Sequence, residues 1–173
     1  STRDLVCVVA TPFPMLETLG LEQIVLEPPE VEGNEMNILR ANAHYDPVLR
    51  RLVEARRPAY IYERMCLGNY LGARLSQEYR IPYIVEYNGS EISMMRSFEG
   101  RGYIHEDLYL KAEEAAFRQA TMVSVISEAV KADVVGRGVS PNKVLVNPNG
   151  ASPSAYAPPG DDAKEAVRRE LGW

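Results

Sequence analysis

The 173 residues, 46% apolar and 25% charged, have the size and composition of one globular domain with a single core, which excludes a disordered chain and a membrane-embedded one. Nineteen Lys and Arg scattered among 24 Asp and Glu leave a net charge of -5, which excludes the dense cationic face that a nucleic-acid duplex requires. Cys7 and Cys66 stand far apart without CxxC spacing or clustered histidines, which argues against a structural zinc or a disulfide framework.

The apolar run from Leu5 to Ala10 and the stretch Gln23 to Leu26, closed by Pro28 and Pro29, predict two strands. Asp46 followed by Pro47 is a helix-start signal, with Val48, Leu49, Leu52 and Val53 as the apolar face and Pro58 as the stop. Ala59 to Tyr62 predicts a short buried strand. Leu67, Leu71 and Leu75 then share one face of a helix that also carries Gly68 and Gly72, whose small size suits tight packing of the helix on a sheet. Pro82 to Tyr87 predicts a further strand, followed by a loop at Asn88-Gly89-Ser90 and a helix from Glu106 to Gln119. Met122 to Ile126 is a strand, Ser127 caps a helix to about Val135, and Lys143 to Val146 is the last strand. From Ala151 to Gly160 the chain reads as a linker, and Asp161 or Asp162 opens a short helix ending at Leu171-Gly172.

Alternating strands and helices with short links predict an α/β domain with a doubly wound, mainly parallel sheet. In such sheets ligands bind beyond the strand C-termini. That rule selects Glu63-Arg64, Tyr87 to Glu91, Ser127-Glu128 and Asn147 to Gly150, all of them polar. Arg64 offers a planar donor for phosphate or sugar hydroxyls, with Glu63 orienting it or accepting from a hydroxyl. Glu86 to Glu91 crowds two carboxylates, an amide, a hydroxyl and a glycine into a few residues, the mixture that carbohydrate hydroxyls need, although Asn-Gly is also a common turn. Arg96, Arg101 and His105 read as solvated loop residues before a helix, and His44 as structural. Neither histidine has metal-ligand spacing, so no metal site is expected. No GxGxxG follows a strand and no P-loop is present, which counts against a dinucleotide-dependent epimerase or dehydrogenase.

Taken in order, Tyr62-Glu63-Arg64, Gly68 and Gly72, Arg80-Ile81-Pro82 leading into Val85 to Ser90, Val125 to Glu128, and Asn147-Pro148-Asn149-Gly150 resemble the glycosyltransferase group 1 family over Ala59 to Gly150. The resemblance implies a retaining, nucleotide-sugar-dependent enzyme of GT-B architecture, in which two Rossmann-like domains face each other across a cleft. Residues 1–150 would be the N-terminal, acceptor-side domain, lacking its first strand-helix unit, and 151–173 the interdomain linker with a short helix. The C-terminal donor-binding domain would be absent. Glu63, Arg64, Asn88, Gly89 and Glu91 would line the acceptor side, and Ser127, Asn149 and Gly150 would face the donor cleft.

No catalytic residue is assigned, because Asn88 stands where many relatives carry a histidine. The implied partners are a nucleotide-sugar donor, which is a co-substrate, and a sugar, glycan or lipid acceptor. No cofactor and no nucleic acid are expected. Because no stretch approaches the roughly 20 apolar residues of a membrane span and no signal-peptide pattern opens the sequence, the expected setting is cytoplasmic, with a peripheral position at the inner membrane face as a variant. Without the second domain this chain is expected to be inactive. A non-catalytic α/β ligand-binding module is the competing reading of the same loops.

Overall fold

A computed structural model describes residues 6–9, 21–29, 35–151 and 160–172. Among the described residues six strands and six α-helices alternate much as the sequence predicts: β1 (Val6–Val9), β2 (Glu22–Val25), α1 (Met36–Arg56), β3 (Ile61–Arg64), α2 (Leu71–Tyr79), β4 (Tyr83–Tyr87), α3 (Glu91–Glu99), α4 (Glu106–Gln119), β5 (Met122–Val125), α5 (Glu128–Gly136), β6 (Val144–Val146) and α6 (Asp161–Glu170). All strand pairs among the described residues are parallel. β1 and β2 form one sheet, and β3-β4-β5-β6 form a second in sequential order.

Right-handed crossovers along a sheet that grows in one direction place the connecting helices on one face. The core follows this rule: Ala73 of α2, Ala116 and Phe117 of α4 and Val134 of α5 pack on Tyr83, Val85 and Tyr87 of β4 and on Val123 and Val125 of β5. The Tyr87 and Phe117 rings meet edge to face, 5.0 Å apart. On the opposite face of the four-stranded sheet Tyr62, Met122 and Leu145 are exposed. Among the described residues no helix is long and apolar enough to cross a membrane.

Four local expectations change. The helix expected to start at Asp46-Pro47 begins instead at Met36, with Pro47 in its interior. Asp46 does not cap; it accepts from Arg50 Nε at 3.0 Å and pairs with Arg74, tying α1 to α2, while Arg50 grips Glu78 on α2 with both terminal nitrogens. These ties hold the helix together across the backbone bond that proline forfeits.

Leu67 and Gly68 lie in a turn before α2 rather than on it, and Gly68 adopts φ +69. The buried Asn42 of α1 fixes that turn, donating to the Gly68 carbonyl at 2.9 Å and accepting from Tyr70 N–H at 3.1 Å. The strand expected over 59–62 is shifted by two residues, which makes Glu63 and Arg64 strand residues pointing to opposite faces. The loop expected after Ser90 is helix α3, so Glu91 and Arg96 are helical.

Candidate functional site

In-register parallel pairing delivers the C-terminal ends of four strands to one edge: Arg64 opposite Glu86, Tyr87 opposite Val125, and Val125 opposite Val146. At the end of β3 the Arg64 side chain is 71% exposed, with its Nε 3.9 Å from Glu86 Oε1. Glu86 also accepts from the Tyr62 hydroxyl at 2.6 Å. Asn88, its amide oxygen turned to Arg64, accepts from Nη2 at 2.9 Å and from Nε at 3.3 Å. Arg64 is thus held in place while its outer edge faces solvent.

Gly89 follows at φ +121, a conformation that disfavours a side chain, with open space where a Cβ would stand. Ser90 then caps α3, its Oγ accepting from Ser93 N–H at 3.3 Å. This brings Glu91 into the first helical turn, where the helix dipole favours a carboxylate. Arg64, Asn88, Gly89 and Glu91 line one open cavity of about 440 Å³ whose far wall is made by α3 and Tyr103.

Glu63 does not join them. It points to the helix-covered face, where it accepts from Asn69 Nδ2 at 2.7 Å, from the Tyr83 hydroxyl and from the Gly72 N–H. Burial pushes its carboxyl above the ordinary glutamate range, against the opposing pull of those three donors. The expectation that Glu63 lines the acceptor side is corrected accordingly: side chains alternate along a strand, so adjacent residues cannot both face the cavity. Gly72 serves this arrangement, since a Cβ there would lie 2.7 Å from Glu63 Cδ.

Ser127 follows β5 and caps α5, its Oγ accepting from Val130 N–H at 3.3 Å. Asn149 and Gly150 follow β6 and are exposed. They lie at the same edge but three strands away from β3, about 14 Å at ordinary strand spacing, and they do not line the cavity. Arg96 pairs with Glu106, Arg101 lies 3.7 Å from Glu99, and His44 Nε2 contacts the Glu27 carbonyl at 3.1 Å. Among the described residues no group of three His, Cys, Asp or Glu could hold a metal ion.

One arrangement that the sequence does not reveal supports the edge from beneath. Arg137, just after α5, donates to Glu113 Oε2 at 2.8 Å and to the Tyr87 hydroxyl at 3.2 Å, one residue before Asn88. Only the spacing Glu113, Ala116, Phe117 on a buried helical face could have hinted that Glu113 points inward.

The family model for the glycosyl transferase 4-like domain matches residues 4–150. The chain belongs to the glycosyl transferase 4-like family. Among solved structures, this glycosyl transferase 4-like domain superposes on Anabaena HepE in complex with UDP and glucose with a TM-score of 0.53 at 19% identity, over 88% of this chain and 37% of HepE. The HepE complex with UDP alone gives 0.53 at 18% identity, over 88% and 36%. The UDP-GlcNAc 2-epimerase of Methanocaldococcus jannaschii gives 0.49 at 11% identity, over 72% and 30%. No curated protein sequence matches the chain. The glycosyl transferase 4-like domain therefore shares a parallel α/β, Rossmann-like fold with HepE and spans little more than a third of HepE's length.

Proposed function

We propose that this chain is the acceptor-side domain of a retaining, nucleotide-sugar-dependent glycosyltransferase, with the donor held by a second domain across the strand edge. The observation that carries the reading is the convergence of Arg64, Asn88, Gly89 and Glu91 on one cavity at the C-terminal ends of parallel strands. Arg64 contributes donors of fixed geometry, Asn88 an amide with both donor and acceptor capacity, and Glu91 an acceptor, a set that matches a sugar's hydroxyls. HepE, which shares the fold, is crystallised with UDP and glucose, consistent with a uridine-nucleotide sugar as donor. Ser127, Asn149 and Gly150 face the donor in this reading, with residues 151–173 as the passage to the second domain.

Retention of the anomeric configuration is tested on the two-domain protein by following the anomeric proton of the product by NMR; an inverted product refutes it. The acceptor role is tested on this chain by titrating methyl glycosides and following backbone amides by NMR. Shifts are expected at Asn88, Gly89 and Glu91, and Arg64→Ala should weaken binding about tenfold or more, the usual worth of a hydrogen bond from a charged donor. Shifts that avoid these residues, or an Arg64→Ala chain that binds unchanged, count against the reading. This chain alone should show no turnover of a sugar nucleotide, and measurable transfer by it would refute the division of labour.

A further inference from the structure

The cavity that holds Arg64 and Asn88 has its polar groups at the strand ends and at Glu91 and Glu99, the two ends of α3. One wall is α3, where Ile92 is buried toward the core while Met94 and Phe98, four residues apart and so on one helical face, point outward. Phe98 is 83% exposed and Met94 52%. Isolated exposed apolar side chains need no explanation, but here they continue directly from the floor of a cavity that Met65, Met95 and Tyr103 also line. Three of the chain's six methionines thus meet in one place, giving a wall that can adapt to apolar groups of different shape.

Building on the acceptor reading above, we infer that the acceptor is an amphiphile: a hydroxyl-bearing head seated against Arg64, Asn88 and Glu91, joined to an apolar aglycone that lies along Met94, Met95 and Phe98. The rim charges favour one bound molecule over a lipid surface. Arg96 is matched by Glu106 and Arg101 by Glu99, so the arginines beside Phe98 leave no surplus of positive charge to hold an anionic bilayer. At about 440 Å³ the cavity has the volume of a small-molecule site and an open end through which a longer chain can run.

The test titrates the chain with monomeric hexyl β-D-glucoside, methyl β-D-glucoside and 1-hexanol, following backbone amides by NMR. Each methylene that leaves water is worth about fourfold in affinity, so hexyl glucoside should bind at least tenfold more tightly than either of the other two. Its shifts should cover Asn88 and Gly89 together with Met94, Met95 and Phe98. Phe98→Ser, on an exposed position, should bring hexyl glucoside down to the methyl glucoside level and leave methyl glucoside unaffected.

Equal binding of hexyl and methyl glucosides, with shifts confined to residues 88–91, overturns the amphiphile and leaves the sugar-acceptor reading standing. Equal binding of hexyl glucoside and hexanol, confined to α3, overturns the joined site. No binding of any probe overturns the amphiphile and the acceptor reading together. Sedimentation with phosphatidylcholine or phosphatidylglycerol vesicles that Phe98→Ser abolishes, without hexyl glucoside binding, would make the patch a membrane contact and overturn the inference.

Discussion

Glu113→Ala is expected to lower the free energy of unfolding by about 3 kcal/mol and the melting temperature by roughly 6–12 °C. Glu113 is 4% exposed on α4 and is the carboxylate partner of Arg137, whose guanidinium carbon lies 4.8 Å from the centre of the Phe117 ring. Arg137 Nη2 is already buried without a hydrogen-bond partner among the described residues. Removing Glu113 would leave a largely buried cation with the Tyr87 hydroxyl as its remaining acceptor among the described residues, and an uncompensated charge is what makes breaking such pairs costly.

Arg137 is 22% exposed, which puts the expected loss at the low end of the range seen for buried pairs. Glu113→Gln keeps an acceptor and loses the charge, so it should cost less. Glu113→Leu combined with Arg137→Met should recover most of the loss, because two apolar groups of similar volume carry no desolvation penalty. Urea unfolding of the three variants checks the order. A Glu113→Ala chain as stable as the parent would mean that the pair is not buried in solution. Because Arg137 also reaches the Tyr87 hydroxyl, the Asn88 and Gly89 amides should shift in Glu113→Ala even where the fold survives.

What the sequence made legible follows from periodicity. β4 and α4 lie almost where the alternation and the helical spacing placed them, because long buried runs leave little choice of register. The common strand edge was legible for the same reason: parallel strands send their C-termini one way, and polar residues follow four of them. Contacts between elements were not legible. Asp46-Pro47 carries a strong local start signal, yet α1 runs through it because Asp46 is engaged by arginines from two helices.

The stretch after Ser90 gave no clear signal because the exposed Met94 and Phe98 blur the helical pattern that Ile92 and Met95 would otherwise draw. Because β3 runs on through Glu63 and Arg64, strand alternation sends them to opposite faces and leaves only Arg64 at the cavity. Boundaries are the weakest part of any reading from sequence, and at a strand end the boundary decides which residues are subject to alternation.

Gly72→Ala is expected to destabilise the protein by about 1–3 kcal/mol, although alanine is the better helix former. The new methyl would stand where the Glu63 carboxyl group is, and that group is pinned by Asn69 and Tyr83 rather than free to swing away. The decisive comparison is therefore the same change in a Glu63→Ala background. There the obstacle is gone, and Gly72→Ala should become neutral or stabilising by up to about 1 kcal/mol through helix propensity. A sign reversal of this kind is a coupling of about 2 kcal/mol between touching residues; additive effects would show that Glu63 does not occupy the space beside Gly72.

The pH dependence provides an independent check on the same carboxyl group. Burial holds the folded Glu63 carboxyl above its unfolded value of about 4.5, so the folded state binds the proton more tightly than the unfolded state does. Stability from this group is complete below the unfolded value and is lost as pH rises through the folded one. Glu113 is shifted in the same direction by its own burial, with Arg137 opposing. Stability should accordingly decline as pH is raised above about 4.5, and Glu63→Gln should remove part of that decline while leaving the Glu113 share. Urea midpoints for parent and Glu63→Gln across acidic and neutral pH decide it: parallel curves would place Glu63 in water rather than beneath α2.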